Sequence, residues 1–292
     1  MMPVFEIVFR RQQYDTYILS DQTAQSRLEV VPDRGGTITS WQVQGRELLY
    51  MDTARFADPS LSVRGGIPIL FPLCGNLLDN TYTHNGQSYT LKQHGFAREM
   101  PWEVLDRVTQ DQASIKLRLA SNDQTRAVYP FDFELEFTYI LQGQTLSIQQ
   151  RYTNRSSEVM PFSIGFHPYF LVLDKSQLRL EIPSTEALDQ KSQTLQPFAN
   201  TFDFEQAEID WAFPQLSRRA AIASDLSRHT RLSVSYSPEF SALVFWTLKG
   251  KDFYCLEPWS ALRNALNTGD RLFHLDPGAT LEAEMSLTVD FI

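Results

Sequence analysis

Cysteine is nearly missing from this chain: 292 residues hold two, Cys74 and Cys255. They form no Cys-x-x-Cys pair, so neither a zinc site nor a disulfide framework is indicated. Two buried structural thiols in a reducing cytoplasm are the expectation. Long apolar runs are missing too. None approaches the roughly 20 residues of a membrane span, and the N-terminus lacks the basic start and small-residue cleavage site of a secretion signal. Positive charge is in short supply, with 26 Lys and Arg against 35 Asp and Glu and a net charge of −9. A nucleic-acid backbone needs dense Lys and Arg, so that partner is disfavoured, although a small basic pocket is not. The pair Gly65-Gly66 is not followed by Gly-Lys-Ser/Thr, so it is no P-loop. No serine or cysteine occupies a nucleophile elbow. No histidines have metal-ligand spacing, so no metal and no cofactor are expected.

What is present is a succession of short β-like runs separated by turns. Phe131 to Tyr139 alternates cleanly, with Phe133, Leu135, Phe137 and Tyr139 on one side. Asp132, Glu134, Glu136 and Thr138 fall on the other, as a solvated sheet face. Trp102 to Val108 and Ala113 to Leu119 read as paired strands, and Thr145 to Tyr152 as another. Asn85-Gly86 marks a hairpin, with His84 beside the turn and solvated. Residues 184 to 230 show no clear period. Convincing helix is scarce, apart from one short turn within Ala261 to Asp270. Many short strands imply an all-β, antiparallel β-sandwich. One domain spanning residues 1–292 is expected, with a two-domain β protein as the alternative.

Two stretches place an ionisable group inside an apolar frame. In Phe162 to Phe170, Pro168 follows His167 and pushes it into an extended conformation. In Phe253 to Ser260, Pro258 follows Glu257 in the same way, and each group is expected at the end of a strand. Read alone, His167 is either a satisfied core histidine or a proton carrier, and Glu257 a rim carboxylate or its partner. A histidine and a glutamate so placed suit paired acid–base chemistry. Around them stand Arg64 beside Gly65-Gly66, and Gln93, His94 and Arg98 in Gln93-His94-Gly95-Phe96-Ala97-Arg98. Arg64 reads equally as a surface arginine or a ligand contact, and the Gln93 run as a polar loop or part of a site. Trp259 and Phe71 read as core aromatics before ligand walls.

Four pieces together resemble the aldose 1-epimerase (mutarotase) family, nearest its hexose-6-phosphate epimerase branch. They are Arg64-Gly65-Gly66-Ile67-Pro68, Gln93 to Arg98, Gly165-Phe166-His167-Pro168-Tyr169-Phe170 and Leu256-Glu257-Pro258-Trp259. The resemblance runs over about residues 25 to 290 and implies a large galactose mutarotase-like β-sandwich. It implies an isomerase that interconverts α and β anomers through the open-chain aldehyde, without a cofactor. His167 then matches the general acid and Glu257 the general base, with Glu257 favouring the protonated imidazole by its charge. His94 matches a position that hydrogen-bonds substrate hydroxyls and polarises the ring. Arg64, Gln93 and Arg98 match substrate contacts of the phosphosugar branch, and Asp210 an acid that binds sugar hydroxyls. The implied partner is a small-molecule sugar or sugar phosphate, bound by a cytoplasmic monomer or homodimer. A non-catalytic carbohydrate-binding protein on the same sandwich is the alternative.

Overall fold

The computed structural model describes residues 4–292, and every ladder between its named strands is antiparallel. Two large sheets dominate. The first runs, in spatial order, through Leu178–Glu181, Ala220–Asp225, Thr230–Tyr236, Thr280–Phe291, Thr145–Asn154, Phe133–Gln142, Ala113–Ala120 and Glu103–Val108. The second runs through Thr194–Pro197, Glu186–Asp189, Glu208–Phe213, Ala242–Leu248, Phe253–Trp259, Gly165–Phe166 and Ile69–Leu70, and Tyr169–Leu171 also pairs with Phe253–Trp259. A smaller sheet is built from the first strands of the chain, between Phe5–Arg11 and Arg46–Glu47.

Period two explains what the sheets bury. Phe133, Leu135, Phe137 and Tyr139 all face the core, as their alternation predicts. Ile209, Phe213, Leu243, Phe245, Tyr254 and Leu256 of the second sheet face them. Aromatic contacts join the layers, with Phe137 and Phe166 ring centres 6.0 Å apart. Phe71 lies among Phe96, Tyr129, Phe133, Tyr152 and Phe162, and is a core residue. Truncating one such buried ring costs about 3–5 kcal/mol.

Three readings of the sequence need revision. The stretch 184–230 holds four strands, of which Glu186–Asp189 and Thr194–Pro197 are four residues each at the sheet margin. Such short pieces carry too little alternation to be seen. Glu257 does not end its strand, because Phe253–Trp259 continues past Pro258, and only there does Pro258 face Leu243. His84 is not simply solvated: its ring lies 4.8 Å from that of Phe131, and Nε2 is 3.3 Å from Glu158.

Candidate active site

The second sheet has one face on the core and one turned away from it, and strand register decides which side chains share the outer one. Gly165 pairs with Trp259, and Tyr169 with Cys255. Counting inward from both ends sets His167 opposite Glu257. On the next strand Val244 pairs with Glu257 and Trp246 with Cys255, and beyond it Asp210 pairs with Trp246. Alternation then puts His167, Tyr169, Glu257, Trp259, Val244, Trp246 and Asp210 on one face. These seven line a cavity of about 320 Å³, together with Arg64, Gln93, His94, Arg98, Lys191, Glu208 and Arg263.

The motif residues around the pair are accounted for by main-chain needs. His167 breaks the strand, and its N–H donates to the Pro68 carbonyl at 3.0 Å. The Tyr169 N–H donates to the Gly66 carbonyl at 2.8 Å. Gly66 has φ +63°, and a Cβ there would sit 2.1 Å from the Ile38 carbonyl oxygen. Only glycine fits so close an approach in the left-handed region. At Gly165 a Cβ would meet Cys74 Sγ at 2.8 Å and the Trp259 ring at 3.0 Å. Its absence leaves room for that indole, whose Nε1 donates to Glu257 Oε2 at 3.1 Å.

The centre of the site is the pair itself. His167 Nε2 lies 3.4 Å from Glu257 Oε1. The His167 ring stacks on Tyr169 at 4.6 Å and meets Trp246 edge-on. Its Nδ1 is sealed from solvent without a partner, so Nε2 is the nitrogen available for exchange with the cavity. Glu257 is 1% exposed. Burial pushes its carboxyl well above the ordinary carboxylate range, and nearby Asp210 adds to that. Burial, and then the Arg98 charge, bring the His167 imidazole down to about 3. Desolvation thus outweighs the attraction that would have favoured a protonated imidazole beside a carboxylate, and the resting pair is neutral.

The remaining expected residues converge on the same cavity. His94 is 3% exposed, and its ring centre lies 5.3 Å from that of His167. Arg98 is buried, donates to the Gln93 carbonyl at 2.9 Å, and keeps its Nε unpartnered. Arg64 and Gln93 stand on the exposed part of the lining. Asp210 is fully engaged: Gln190 Nε2 donates to one oxygen at 2.7 Å and Arg263 Nη2 to the other at 2.6 Å.

Several lining residues had gone unnoticed in the sequence. Arg263 also donates to Gln190 Oε1 at 2.9 Å and to Asn76 Oδ1 at 3.3 Å. Trp246 Nε1 donates to Glu208 at 2.7 Å, and Lys191 pairs with the same carboxylate. Period two across 208–212 and 242–248 carries the signal for Glu208 and Trp246 once the partner strands are known. Arg263 comes from a loop and left no periodic trace. His167, Cys255 and Glu257 also put one donor-type atom each within 4.8 Å of one another. Burial holds the Cys255 thiol well above its usual range, against the thiolate that metal ligation needs. Among the described residues no helix is long and apolar enough to cross a membrane.

Comparison with known proteins gives the family and the fold. A family described as aldose 1-epimerase matches residues 17–288. The chromosomal LacX protein of Lactococcus lactis is 29% identical over 272 residues, which is 82% of this chain and 86% of that protein. A Cenchrus ciliaris protein named "Putative glucose-6-phosphate 1-epimerase" is 33% identical over 157 residues, covering 50% of this chain and 44% of its own length. Among solved structures, the Slr1438 protein of Synechocystis sp. PCC 6803 superimposes with TM-score 0.93 at 47% identity, covering 97% of this chain and 99% of that one. A galactose mutarotase-like protein from Clostridium acetobutylicum shares the fold, with TM-score 0.84 at 20% identity and 99% of each chain covered.

Proposed function

The chain belongs to the aldose 1-epimerase family, and from that premise we propose that it interconverts the α and β anomers of a hexose 6-phosphate. The observation that carries the reading is the buried pair His167 and Glu257, 3.4 Å apart on the floor of an open cavity. The two oxygens on C1 of a pyranose are attached to one carbon, and an adjacent acid and base suit them both.

The pair holds one transferable proton, which rests on the Glu257 carboxyl and passes across the 3.4 Å to His167 Nε2 when the sugar is bound, so that an imidazolium and a carboxylate face C1. In ring opening, His167 gives a proton to the ring oxygen O5 while Glu257 takes the proton from the C1 hydroxyl. The C1–O5 bond breaks and the C1 carbonyl forms. Rotation about C1–C2 presents the other carbonyl face. In closure Glu257 returns its proton to the carbonyl oxygen, the O5 hydroxyl attacks C1, and His167 recovers the proton. Neither step changes the net charge of the buried pair, which matters where desolvation penalises charge. Positioned acid and base groups contribute about 10²–10⁴-fold each.

The preference for a phosphorylated sugar rests on the charges that line the cavity. Arg263 is paired with Asp210, and Lys191 with Glu208. Arg64 and Arg98 have no carboxylate partner among the described residues. Two guanidinium groups left unneutralised, one of them buried, favour a dianionic substrate group. The test is exchange of C1 anomers, followed by NMR, for glucose 6-phosphate and for glucose. Faster exchange than in buffer with a higher kcat/KM for the phosphate ester is expected. Equal values would remove the phosphate reading. Tight sugar binding without acceleration would favour a binding protein instead.

A further inference from the structure

The loop Cys74-Gly75-Asn76 borders the site, with Gly75 against Arg263 and the Trp259 ring. The Gly75 N–H donates to His94 Nδ1 at 3.1 Å, and the His94 N–H donates to the Gly75 carbonyl at 2.6 Å. This reciprocal pair has a definite chemical meaning. A main-chain amide has only a proton to give, so Nδ1 must offer a lone pair, and the ring proton is then on Nε2. Protonating Nδ1 as well would break the bond and set two N–H groups against each other.

Gly75 is held where it must be to do this. Its φ is +70°, and a Cβ would lie 2.3 Å from Arg263 Cγ. The next residue, Asn76, accepts from Arg263 Nη1 and, through its carbonyl, from the Asn264 N–H at 2.9 Å. His94 itself has φ +67°, a strained value for a non-glycine residue, and that backbone turn is what folds its ring back onto Gly75. The other ring nitrogen, Nε2, is not sealed and has no protein partner, and the ring lines the cavity.

We infer that the Gly75 amide fixes His94 as a permanently neutral Nε2–H donor, aimed at an oxygen of the sugar that gains negative charge as the ring opens. The inference rests on the epimerase reading for what the donor serves, not for the tautomer. His94 so held cannot act as the general base, because its only free lone pair is engaged. It does not act as the general acid either, because a neutral imidazole gives up its proton only at extreme cost. What remains is a fixed hydrogen bond, one that needs no reorganisation during the reaction. Gly75 is the positioning residue and His94 the donor. The groups facing the ring reinforce the neutral state. Arg98, His167 and Arg263 are cationic or basic neighbours, Trp259 meets the ring edge-on at 5.6 Å, and burial with the Arg98 charge holds the imidazole well below its ordinary value. The acids of the same cavity are Glu257, Asp210 and Glu208, of which Asp210 is paired with Arg263 and Glu208 with Lys191.

Imidazole ¹⁵N NMR on the whole labelled chain tests the tautomer without any sugar. The five histidines are few enough to assign, with the His94 signals identified by their loss in His94→Gln. Expected is an unprotonated Nδ1 and a protonated Nε2 throughout the range from about pH 5 to 8 in which histidine normally titrates. A proton on Nδ1, or titration of His94 inside that range, overturns the inference. Exchange kinetics test the use of the donor. A glutamine amide sits near the Nε2 position and an asparagine amide near Nδ1. His94→Gln should therefore keep exchange within about tenfold, while His94→Asn loses about 10²–10³-fold in kcat, as for a lost oxyanion donor. Equal losses in both variants remove the donor role. If the parent chain accelerates no sugar while the ¹⁵N pattern is as expected, the epimerase reading fails and the tautomer assignment stands.

Discussion

The two large sheets share a design and differ on their outer faces. Both are antiparallel, and both bury alternate side chains in the same core. Outside, the first sheet carries Lys116, Glu136 and Arg151 around a cavity of about 470 Å³, larger than the one on the second sheet. Its charges meet in water-exposed pairs, such as Lys116 Nζ to Glu136 Oε1 at 2.7 Å and Arg155 to Glu134 at 2.6 Å. On the second sheet the histidine and glutamate are shut away from water, and their proton affinities move far from ordinary values. The difference teaches that size of a hollow is a poor guide to chemistry. Desolvation is what turns a pair of titratable side chains into an acid and a base poised against each other.

The sharpest way to break this contrast is to remove the buried pair. Glu257→Gln and His167→Asn should each lower anomer exchange by about 10²–10⁴-fold, while Glu136→Gln on the first sheet leaves the rate unchanged. Retention of turnover in either buried variant, measured by NMR exchange, would disprove the role given to that residue.

Next in size is the arginine without a carboxylate. Arg98→Ala should raise KM for glucose 6-phosphate roughly 10- to 100-fold, corresponding to about 1.5–3 kcal/mol for a hydrogen bond to a charged group. The KM for glucose should move much less, and parallel changes would dissociate Arg98 from the phosphate.

Stability against pH should separate the two members of the pair. The folded chain binds fewer protons at His167 than the unfolded chain between the ordinary 6.5 and about 3, so His167 takes away stability as pH falls through that window. Glu257 has the opposite sign: its raised value means that stability is lost as pH rises above 4.5 toward the folded value. Thermal melts should show a shallower acid limb in His167→Asn and a flatter rise-side decline in Glu257→Gln. Unchanged slopes would mean that the pair is better solvated than its burial implies.

The smallest effect belongs to the first sheet. Lys116→Met breaks a half-exposed ion pair and should cost under about 1 kcal/mol in chemical denaturation. A much larger loss would show that its outer face is less wet than its charges suggest.

Much of this contrast could be read from the residues. Strict alternation in Phe133 to Tyr139 announced both the core and a charged outer face. Pro168 and Pro258 marked the two places where an ionisable group is held in extended chain within an apolar run. What stayed hidden depends on non-local pairing. Glu208 and Trp246 join the site through ladders between distant strands, and Gln190 through a turn after Glu186–Asp189, a strand too short to show a period. Arg263 arrives on a loop, where no repeat constrains position. The neutral resting state of the pair was not legible either, because sequence proximity says nothing of how completely two groups are removed from water.

The ladder that flanks the His167 break has a consequence for how the chain tolerates change. Side chains along Phe253–Trp259 alternate, with Tyr254 and Leu256 toward the core and Glu257 away from it. Sliding that strand by one position would drive the carboxylate into the apolar core and turn leucine outward. The greasy side of the strand therefore acts as an alignment gauge for the reactive side. Substitutions in the interior that loosen this fit will misplace the acid against the base without touching the cavity at all.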